Sequence, residues 1–167
     1  MSKKDVMIFS KSFGYALRGI LYIAIMKEQK RYVQVEEIAS KLAAPRHFMG
    51  KIMKRLAKEK LLISAKGPSG GFMLGENTLE KPLMDLIVIT DDAALFDTCV
   101  LRAKECNGTN PCPMHGQMEG LKTNLKSILS NTTIGDLLEE DKPEFIRSLS
   151  NAIGIEVPKL PEVQKVY

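Results

Sequence analysis

The sequence predicts a mainly α-helical fold with one small β-hairpin, and three observations support this prediction. In three successive segments of the N-terminal half, apolar residues recur every three or four positions, which is typical of amphipathic helices. The period then changes, and two short runs flank the Gly-rich stretch "GPSGG", as in a hairpin. After the last cysteine, "PMHGQMEGLKTNLKSILS" has an apolar stripe with alternating spacings of four and three, which predicts a long helix.

The order of the first elements is that of a winged helix-turn-helix domain, which we expect over residues 1–78. The helices are predicted in "KSFGYALRGILYIAIMKEQ", "VEEIASKLA" and "APRHFMGKIMKRLAKEK", and the strands in "LLISAK" and "FMLG". Pro45 suits the first position of the third helix. The buried stripe of that helix is predicted to be Phe48, Met49, Ile52 and Leu56. In such domains the basic helix enters the major groove of DNA, and the hairpin wing reaches the flanking backbone or minor groove.

Charge is distributed unevenly along the chain of 167 residues. Residues 1–75 contain 15 Lys and Arg against 5 Asp and Glu, a net charge of +10. Residues 76–167 contain 9 and 15, a net charge of −6. A basic N-terminal half favours contact with a polyanion such as double-stranded promoter DNA, although a solvated basic helix face is the alternative.

We expect DNA contacts from the start of the first helix, from the third helix and from the wing. Arg46 is suited to guanine and Lys51 to guanine or phosphate, because their side chains can donate to the major-groove edge of guanine. Contacts from the other residues are expected mainly on the DNA backbone. The predicted DNA-binding residues are Ser10, Lys11, Pro45, Arg46, His47, Lys51, Arg55, Lys66, Ser69 and Gly70.

All three cysteines lie in "CVLRAKECNGTNPCPMH", which begins at Cys99 and ends at His115. The N-terminus does not resemble a signal peptide and no apolar run has the length of a membrane span, so we expect a cytoplasmic protein without membrane contact. Thiols stay reduced there, and an odd number of cysteines argues against a disulfide framework. Three thiols on a Gly/Asn/Pro-rich loop can wrap an iron–sulfur cluster. Zinc, a metal-free thiol switch and a chance grouping are the alternatives.

Residues 79–130 are predicted to form a sensor loop and dimerisation helix, and residues 131–167 C-terminal helices and a mobile tail. "LEKPLMDLIVI" favours a short helix, although its β-branched residues also suit a strand. "TTIGDLLEE" and "PEFIRSLSNAIG" favour two more helices, the first capped by Thr132 or Thr133, and "VPKLPEVQKVY" a tail. The stripe of the long helix suits pairing with a second subunit, with intramolecular packing as the alternative. Its residues are Met114, Met118, Leu121, Leu125 and Ile128.

Several segments resemble the Rrf-type bacterial transcription regulators, which include the iron–sulfur sensor IscR and the nitric-oxide sensor NsrR. "YALRGILYIA" resembles the first helix of that family, and "EEIASKLAAPRHFMGKIMKRLAKEKLL" its helix-turn-helix. "KGPSGGFMLG" is very close to the family's wing signature, and "TTIGDLL" follows in the same order. The resemblance covers roughly residues 9–138. It implies a homodimer that binds a partly palindromic operator.

In cluster-binding members of that family, three cysteines hold a [2Fe–2S] or [4Fe–4S] cluster, and IscR-like members add a histidine three residues after the third cysteine. The resemblance therefore implies the ligands Cys99, Cys106, Cys112 and His115. The gap of six residues between Cys99 and Cys106 is one longer than the family spacing of about five, whereas the second gap has five. Gly14 stands where NsrR-like members have an acidic residue, which favours the histidine-ligated [2Fe–2S] type.

The expected function is that of a dimeric transcription regulator, a repressor, that senses iron–sulfur status, redox state or nitric oxide. The same regulator with a zinc site or a thiol switch is one alternative. A metal carrier or protein-interaction module that does not bind DNA is another. We expect no enzymatic activity and no small-molecule substrate, because no recognisable catalytic arrangement or phosphate-binding loop is present.

Overall fold

The computed structural model describes residues 9–91, 96, 98, 99, 101 and 106–139. Within this part of the chain the fold is mainly helical, with one two-stranded antiparallel hairpin. The helices are α1 (Lys11–Met26), α2 (Val35–Lys41), α3 (Arg46–Lys58), α4 (Leu83–Thr90), α5 (His115–Asn131) and α6 (Asp136–Glu139). The strands, between α3 and α4, are β1 (Leu62–Ala65) and β2 (Gly71–Leu74). The expected helix in "PEFIRSLSNAIG" and the expected tail lie outside the described residues.

The first three helices pack around one apolar core. Ser10 caps α1, because its hydroxyl accepts a hydrogen bond from the N–H of Phe13 at 3.2 Å. The buried face of α1 follows helical spacing through Phe13, Ala16 and Ile20, and it meets α3 and α4. Met53 of α3 is fully buried against Gly19, where a Cβ would lie 2.7 Å from the Met53 methyl group. The glycine therefore lets α3 approach α1 closely.

The hairpin forms the wing predicted from the sequence. Its register pairs Leu62 with Leu74 and Ala65 with Gly71. Val33, in the connector between α1 and α2, exchanges two backbone hydrogen bonds with Phe72, at 2.9 and 2.8 Å. The connector therefore pairs with β2 along the edge of the hairpin. This pairing holds the wing against the helix-turn-helix.

The segment after the wing is joined to the end of α5. The N–H of Leu83, at the start of α4, donates to the carbonyl of Thr132, and the N–H of Ile134 donates to that of Lys81, both at 2.9 Å. Leu129 of α5 is buried, and α5 packs along α4. We call the backbone contacts of residues 79–83 with residues 132–135 the clamp. It attaches the C-terminal end of α5 to the segment that follows the wing.

The short helix α6 begins with a reciprocal cap. The N–H of Thr133 donates to the carboxylate of Asp136 at 2.7 Å, and the N–H of Asp136 donates to the hydroxyl of Thr133 at 3.1 Å. Of the two predicted caps, Thr133 is therefore the one used. Among the described helices, none has both the length and the apolar content needed to cross a bilayer.

Candidate metal centre and nucleic-acid interface

The three cysteines converge although they come from separate parts of the segment. Their sulfur atoms all lie within 4.8 Å of one another, and the Sγ atoms of Cys99 and Cys112 are 3.7 Å apart. All three are in the thiol form rather than in a disulfide. The N–H of Cys112 donates to the Cys106 sulfur at 3.4 Å, which draws the second and third cysteines together.

A tight turn between Cys106 and Cys112 explains this approach. The side-chain oxygen of Asn107 accepts hydrogen bonds from the N–H groups of Thr109, at 2.9 Å, and Asn110, at 2.8 Å. The N–H of Asn107 in turn donates to the carbonyl of Asn110 at 3.3 Å. Such Asx turns reverse the chain, so the sequence "NGTN" returns the backbone to the thiol group.

His115 opens α5 beside the thiols. Its N–H donates to the carbonyl of Cys112 at 2.9 Å, and its ring Nδ1 lies 3.3 Å from the Cys106 sulfur. His115 does not belong to the group of donors that all lie within 4.8 Å of one another. His115 therefore meets the group of three thiols at Cys106.

A cleft of about 220 Å³ adjoins the thiols. Phe96 and one face of α5 line it. That face carries, in order along the helix, His115, Met118, Lys122 and Lys126. Lys122 donates to the carbonyl of Thr98 at 2.6 Å, and the Lys126 ammonium lies 5.5 Å from the centre of the Phe96 ring. These residues are three or four positions apart, which places their side chains on one face of the helix. The pattern is visible in the sequence, although the predicted site did not include Lys122 or Lys126.

The pKa of the Cys106 thiol is raised above its ordinary value. The N–H of Cys112 is the largest influence and acts to lower this pKa. Desolvation, hydrogen bonds with the thiols of Cys112 and Cys99, and the charge of Cys112 together outweigh it. Crowded thiols hold their protons, and a metal ion that binds them must displace those protons.

The donor set fits a thiolate-bound metal. Two thiolates on one tetrahedral ion, each about 2.3 Å from it, lie about 3.8 Å apart, close to the separation of Cys99 and Cys112. That separation is 3.7 Å. Soft sulfur donors with one imidazole suit zinc and iron–sulfur chemistry rather than hard cations.

The residues predicted to contact DNA fall on one helix and its neighbours, and most of them are exposed. Arg46 starts α3, and its Nε donates to the carboxylate of Glu36 at 2.7 Å. Ser10 is exposed, but its hydroxyl caps α1 and its N–H donates to Asp91 at 3.3 Å. The remaining exposed residues of the set are Lys11, Pro45, His47, Lys51, Arg55, Lys66 and Ser69.

Gly70 differs from this set because it is buried in the turn of the wing. A Cβ there would collide with the carbonyl oxygen of Ala65, so this position requires glycine to close the turn. A groove of about 450 Å³ runs between the wing, the start of α2 and Lys54 of α3. Gln34 crosses it and donates to the carbonyl of Pro68 at 2.7 Å, which ties the wing tip to the helix-turn-helix.

The predicted dimerisation stripe divides into two edges on α5. Met118 and Leu125 are half-buried, and Leu125 packs against the core. Leu121 and Ile128 are 59% and 54% exposed, and Met114, just before the helix, is 41% exposed. One edge is therefore used within the chain, and the other is a row of apolar side chains in solvent.

The Rrf2 family model, which is described as an iron-dependent transcriptional regulator, matches residues 9–140 of the chain. The chain belongs to the Rrf2 family. A protein of Aquifex aeolicus named as a helix-turn-helix transcriptional regulator is 37% identical over 142 residues, which are 83% of this chain and 97% of that protein. The regulator IscR of Vibrio atlanticus is 26% identical over 128 residues, 77% of this chain and 73% of IscR.

Two solved structures of regulators have a fold similar to that of this chain. CymR, the cysteine regulator of B. subtilis, matches with a TM-score of 0.64 at 18% identity, covering 78% of this chain and 95% of CymR. IscR of T. potens matches with a TM-score of 0.60 at 18% identity, covering 78% of this chain and 85% of IscR. The mainly α-helical winged fold and the family predicted from the sequence are confirmed. The relatives are transcriptional regulators, a class that is not enzymatic.

Proposed function

We propose that this Rrf2-family regulator senses iron–sulfur status, redox state or nitric oxide through an iron–sulfur cluster held by Cys99, Cys106, Cys112 and His115. The observation that carries the proposal is the convergence of three thiols within 4.8 Å, with the His115 ring 3.3 Å from one of them. A bound cluster would supply a redox-active group that oxidants or nitric oxide can alter. In this proposal the protein is a cytoplasmic repressor that is not an enzyme.

A [2Fe–2S] cluster is favoured over a [4Fe–4S] cluster and over zinc. Its four ligands divide between two iron atoms, and here the fourth donor, His115, lies beside Cys106 at the margin of the three thiols. A single zinc ion would instead draw all four donors to one centre. The position of His115 outside the mutual 4.8 Å group supports the two-metal arrangement.

The proposed DNA interface combines α3 with the wing. Arg46 and Lys51 project from the start of α3, where recognition helices meet base edges. Lys66 and Ser69 are exposed on the wing. Basic side chains at these places suit phosphate contacts on both sides of one groove. We assign residues 1–78 to DNA binding.

The proposed homodimer uses the exposed edge of α5. Leu121 and Ile128 lie one heptad apart and stand in solvent in the single chain. Contact between two copies of this edge would bury them at low cost, because few charged side chains would be desolvated with them. Residues 79–130 then form the sensor and dimerisation unit, and residues 131–167 the C-terminal extension.

Anaerobic purification of the full chain tests the cofactor. We expect a coloured protein that contains iron and acid-labile sulfide, and a colourless Cys106→Ser variant with the same helical content. Stoichiometric zinc without sulfide would replace the cluster with a zinc site. A metal-free wild-type protein that cannot be reconstituted would leave a thiol switch as the sensor.

Binding to DNA is tested separately from the cofactor. Duplexes selected from a random pool by the purified protein provide the probe, and fluorescence anisotropy gives the affinity at several salt concentrations. We expect log affinity to fall steeply and linearly with log salt, because phosphate contacts release counterions. Absence of any salt-dependent DNA binding would favour a metal carrier or a protein-interaction module.

A further inference from the structure

Lys122 joins the start of the cysteine segment to α5. Its ammonium group donates to the backbone carbonyl of Thr98 at 2.6 Å. Thr98 directly precedes Cys99, whose sulfur lies 3.7 Å from that of Cys112. Lys122 also follows His115 by two helical turns, so both side chains lie on the face of α5 that lines the cleft.

We propose that Lys122 is a positioning residue for Cys99 and thereby for the metal centre. This inference rests on the proposed function, because it assigns a role toward the group that the three thiols would hold. The side chain fixes the peptide before Cys99 against a rigid helix. Cys99 is therefore kept beside Cys112 before any metal arrives.

The physical basis is a charge-assisted hydrogen bond from a helical anchor to a loop. Hydrogen bonds with an ionised donor are stronger than neutral ones, and a helix holds its end of the contact in place. Metal binding converts thiols into thiolates, and a nearby ammonium lowers the electrostatic cost of gathering that charge. Lys122 contributes in both ways, as a tether and as a positive charge.

Lys126 provides a matched comparison within the same cleft. It lies one turn further along α5, and its ammonium is 5.5 Å from the centre of the Phe96 ring. Lys126→Met removes the same charge from the cleft as Lys122→Met and leaves the Lys122–Thr98 contact in place. Lys122→Arg keeps both the charge and a donor. The three variants separate the tether from the charge.

The metal-dependent test is anaerobic titration with Co²⁺, whose absorption bands report thiolate ligation. Loss of outer groups that orient metal ligands typically weakens metal binding by about 10- to 100-fold. We expect Lys122→Met to weaken Co²⁺ binding at least about 10-fold, Lys122→Arg to recover most of that loss, and Lys126→Met to have a much smaller effect. Equal losses in the two methionine variants, or no loss in Lys122→Met, would overturn the inference.

The metal-free test is the equilibrium between the Cys99 and Cys112 thiols and oxidised glutathione, measured in a Cys106→Ser background. Two protein thiols give one disulfide while one oxidised glutathione gives two reduced molecules, so two electrons pass from protein to glutathione. The equilibrium constant reports how well Cys99 is held beside Cys112. We expect it to fall several-fold in Lys122→Met and to return in Lys122→Arg. An unchanged constant would overturn the positioning role even if no metal binds the wild-type protein, whereas failed metal binding with a lowered constant would overturn only the proposed cofactor.

Discussion

The guanidinium of Arg46 is paired with the carboxylate of Glu36, so the start of α3 is joined to the start of α2. Two nitrogens of Arg46, Nε and one Nη, donate to the same carboxylate oxygen. The hydrogen bond from Arg46 is the main reason why the pKa of Glu36 is lowered. Both side chains are exposed, so the pair contributes little to stability. In the proposed DNA interface, Arg46 would have to leave or share Glu36 in order to contact a base.

Glu36→Gln is expected to tighten binding to random duplex DNA several-fold and to reduce discrimination between selected and random sites. The variant removes the charge that holds Arg46, and it removes a negative charge from the proposed DNA interface. Anisotropy titrations with both duplexes measure the effect. Glu59→Gln, at the other end of α3, is the control for charge alone. The same gain in both variants would show that the Arg46–Glu36 pair has no specific role.

Gly71→Ala is expected to destabilise the winged domain by about 2–3 kcal/mol. Gly71 has a φ of +145°, and a Cβ there would collide with the carbonyl oxygen of Val33, which bonds to Phe72. Urea unfolding followed by circular dichroism gives the change. Gly14→Ala is the control, because it lies within α1 with no atom within 4 Å of an added Cβ. There we expect stabilisation of up to about 1 kcal/mol, and equal effects at both positions would contradict the prediction.

Acid is expected to remove stability that depends on Glu37. The pKa of Glu37 is lowered below its ordinary value of 4.5, although burial, the largest influence, acts to raise it. Hydrogen bonds from Lys30, at 2.7 Å, and from the buried Tyr22, at 2.6 Å, outweigh burial. A lowered folded-state pKa gives stability that is present above 4.5 and is lost as the pH falls through the lower, folded-state pKa.

Urea unfolding between pH 7 and pH 3 tests this dependence. Glu37→Gln should be less stable than the wild type at neutral pH, and the difference should shrink as the pH falls below the ordinary pKa of 4.5. A stability difference that stays constant across the acid range would show that Glu37 does not titrate in this window.

The same contact has an alkaline counterpart. The pKa of Tyr22 is raised, first by burial and then by Glu37, so the contribution of Tyr22 to the free energy of unfolding is lost as alkali takes the pH above 10.

Leu121→Glu is expected to convert the proposed dimer into a folded monomer. The side chain is 59% exposed in the single chain, so the substitution leaves the core intact while it places a charge on the proposed interface. Light scattering after size-exclusion chromatography gives the mass, and circular dichroism checks the fold. Ser130→Glu, exposed elsewhere on α5, should remain dimeric. A dimeric Leu121→Glu protein would place the interface on another surface.

Local sequence patterns predicted the wing well, because a hairpin depends on a short turn. The Asx turn of Asn107 likewise brings Cys106 close to Cys112. The α3 stripe was predicted less well. Met53 is fully buried, whereas Phe48 is only partly buried and packs edge-on against Tyr15 at 5.7 Å between ring centres. The reason lies in another helix, since Gly19 of α1 makes room for Met53. The periodicity of one helix cannot show how much room a neighbouring helix leaves for its side chains.

The same limit applies to the site and to α5. The contact of Lys122 with Thr98 joins residues 24 positions apart and uses a backbone carbonyl, which no residue type reveals. The alternating stripe of α5 is one continuous pattern in the sequence. The fold divides it, because α4 covers the edge that carries Leu125 and leaves that of Leu121 in solvent. Which edge is covered depends on the clamp, a tertiary feature.

The clamp holds the C-terminal end of α5 in place. Its 17 residues span about 26 Å from Asn131, near the hydrogen-bonded end, to His115 beside the thiols. A tilt of about 5° around the fixed end moves the far end by about 2 Å over that length. A change at the Cys106 thiol, whose sulfur contacts His115, that tilted α5 would therefore displace Leu121 by an intermediate distance. In the proposed dimer, such displacements in both subunits would change the angle between the two α3 helices.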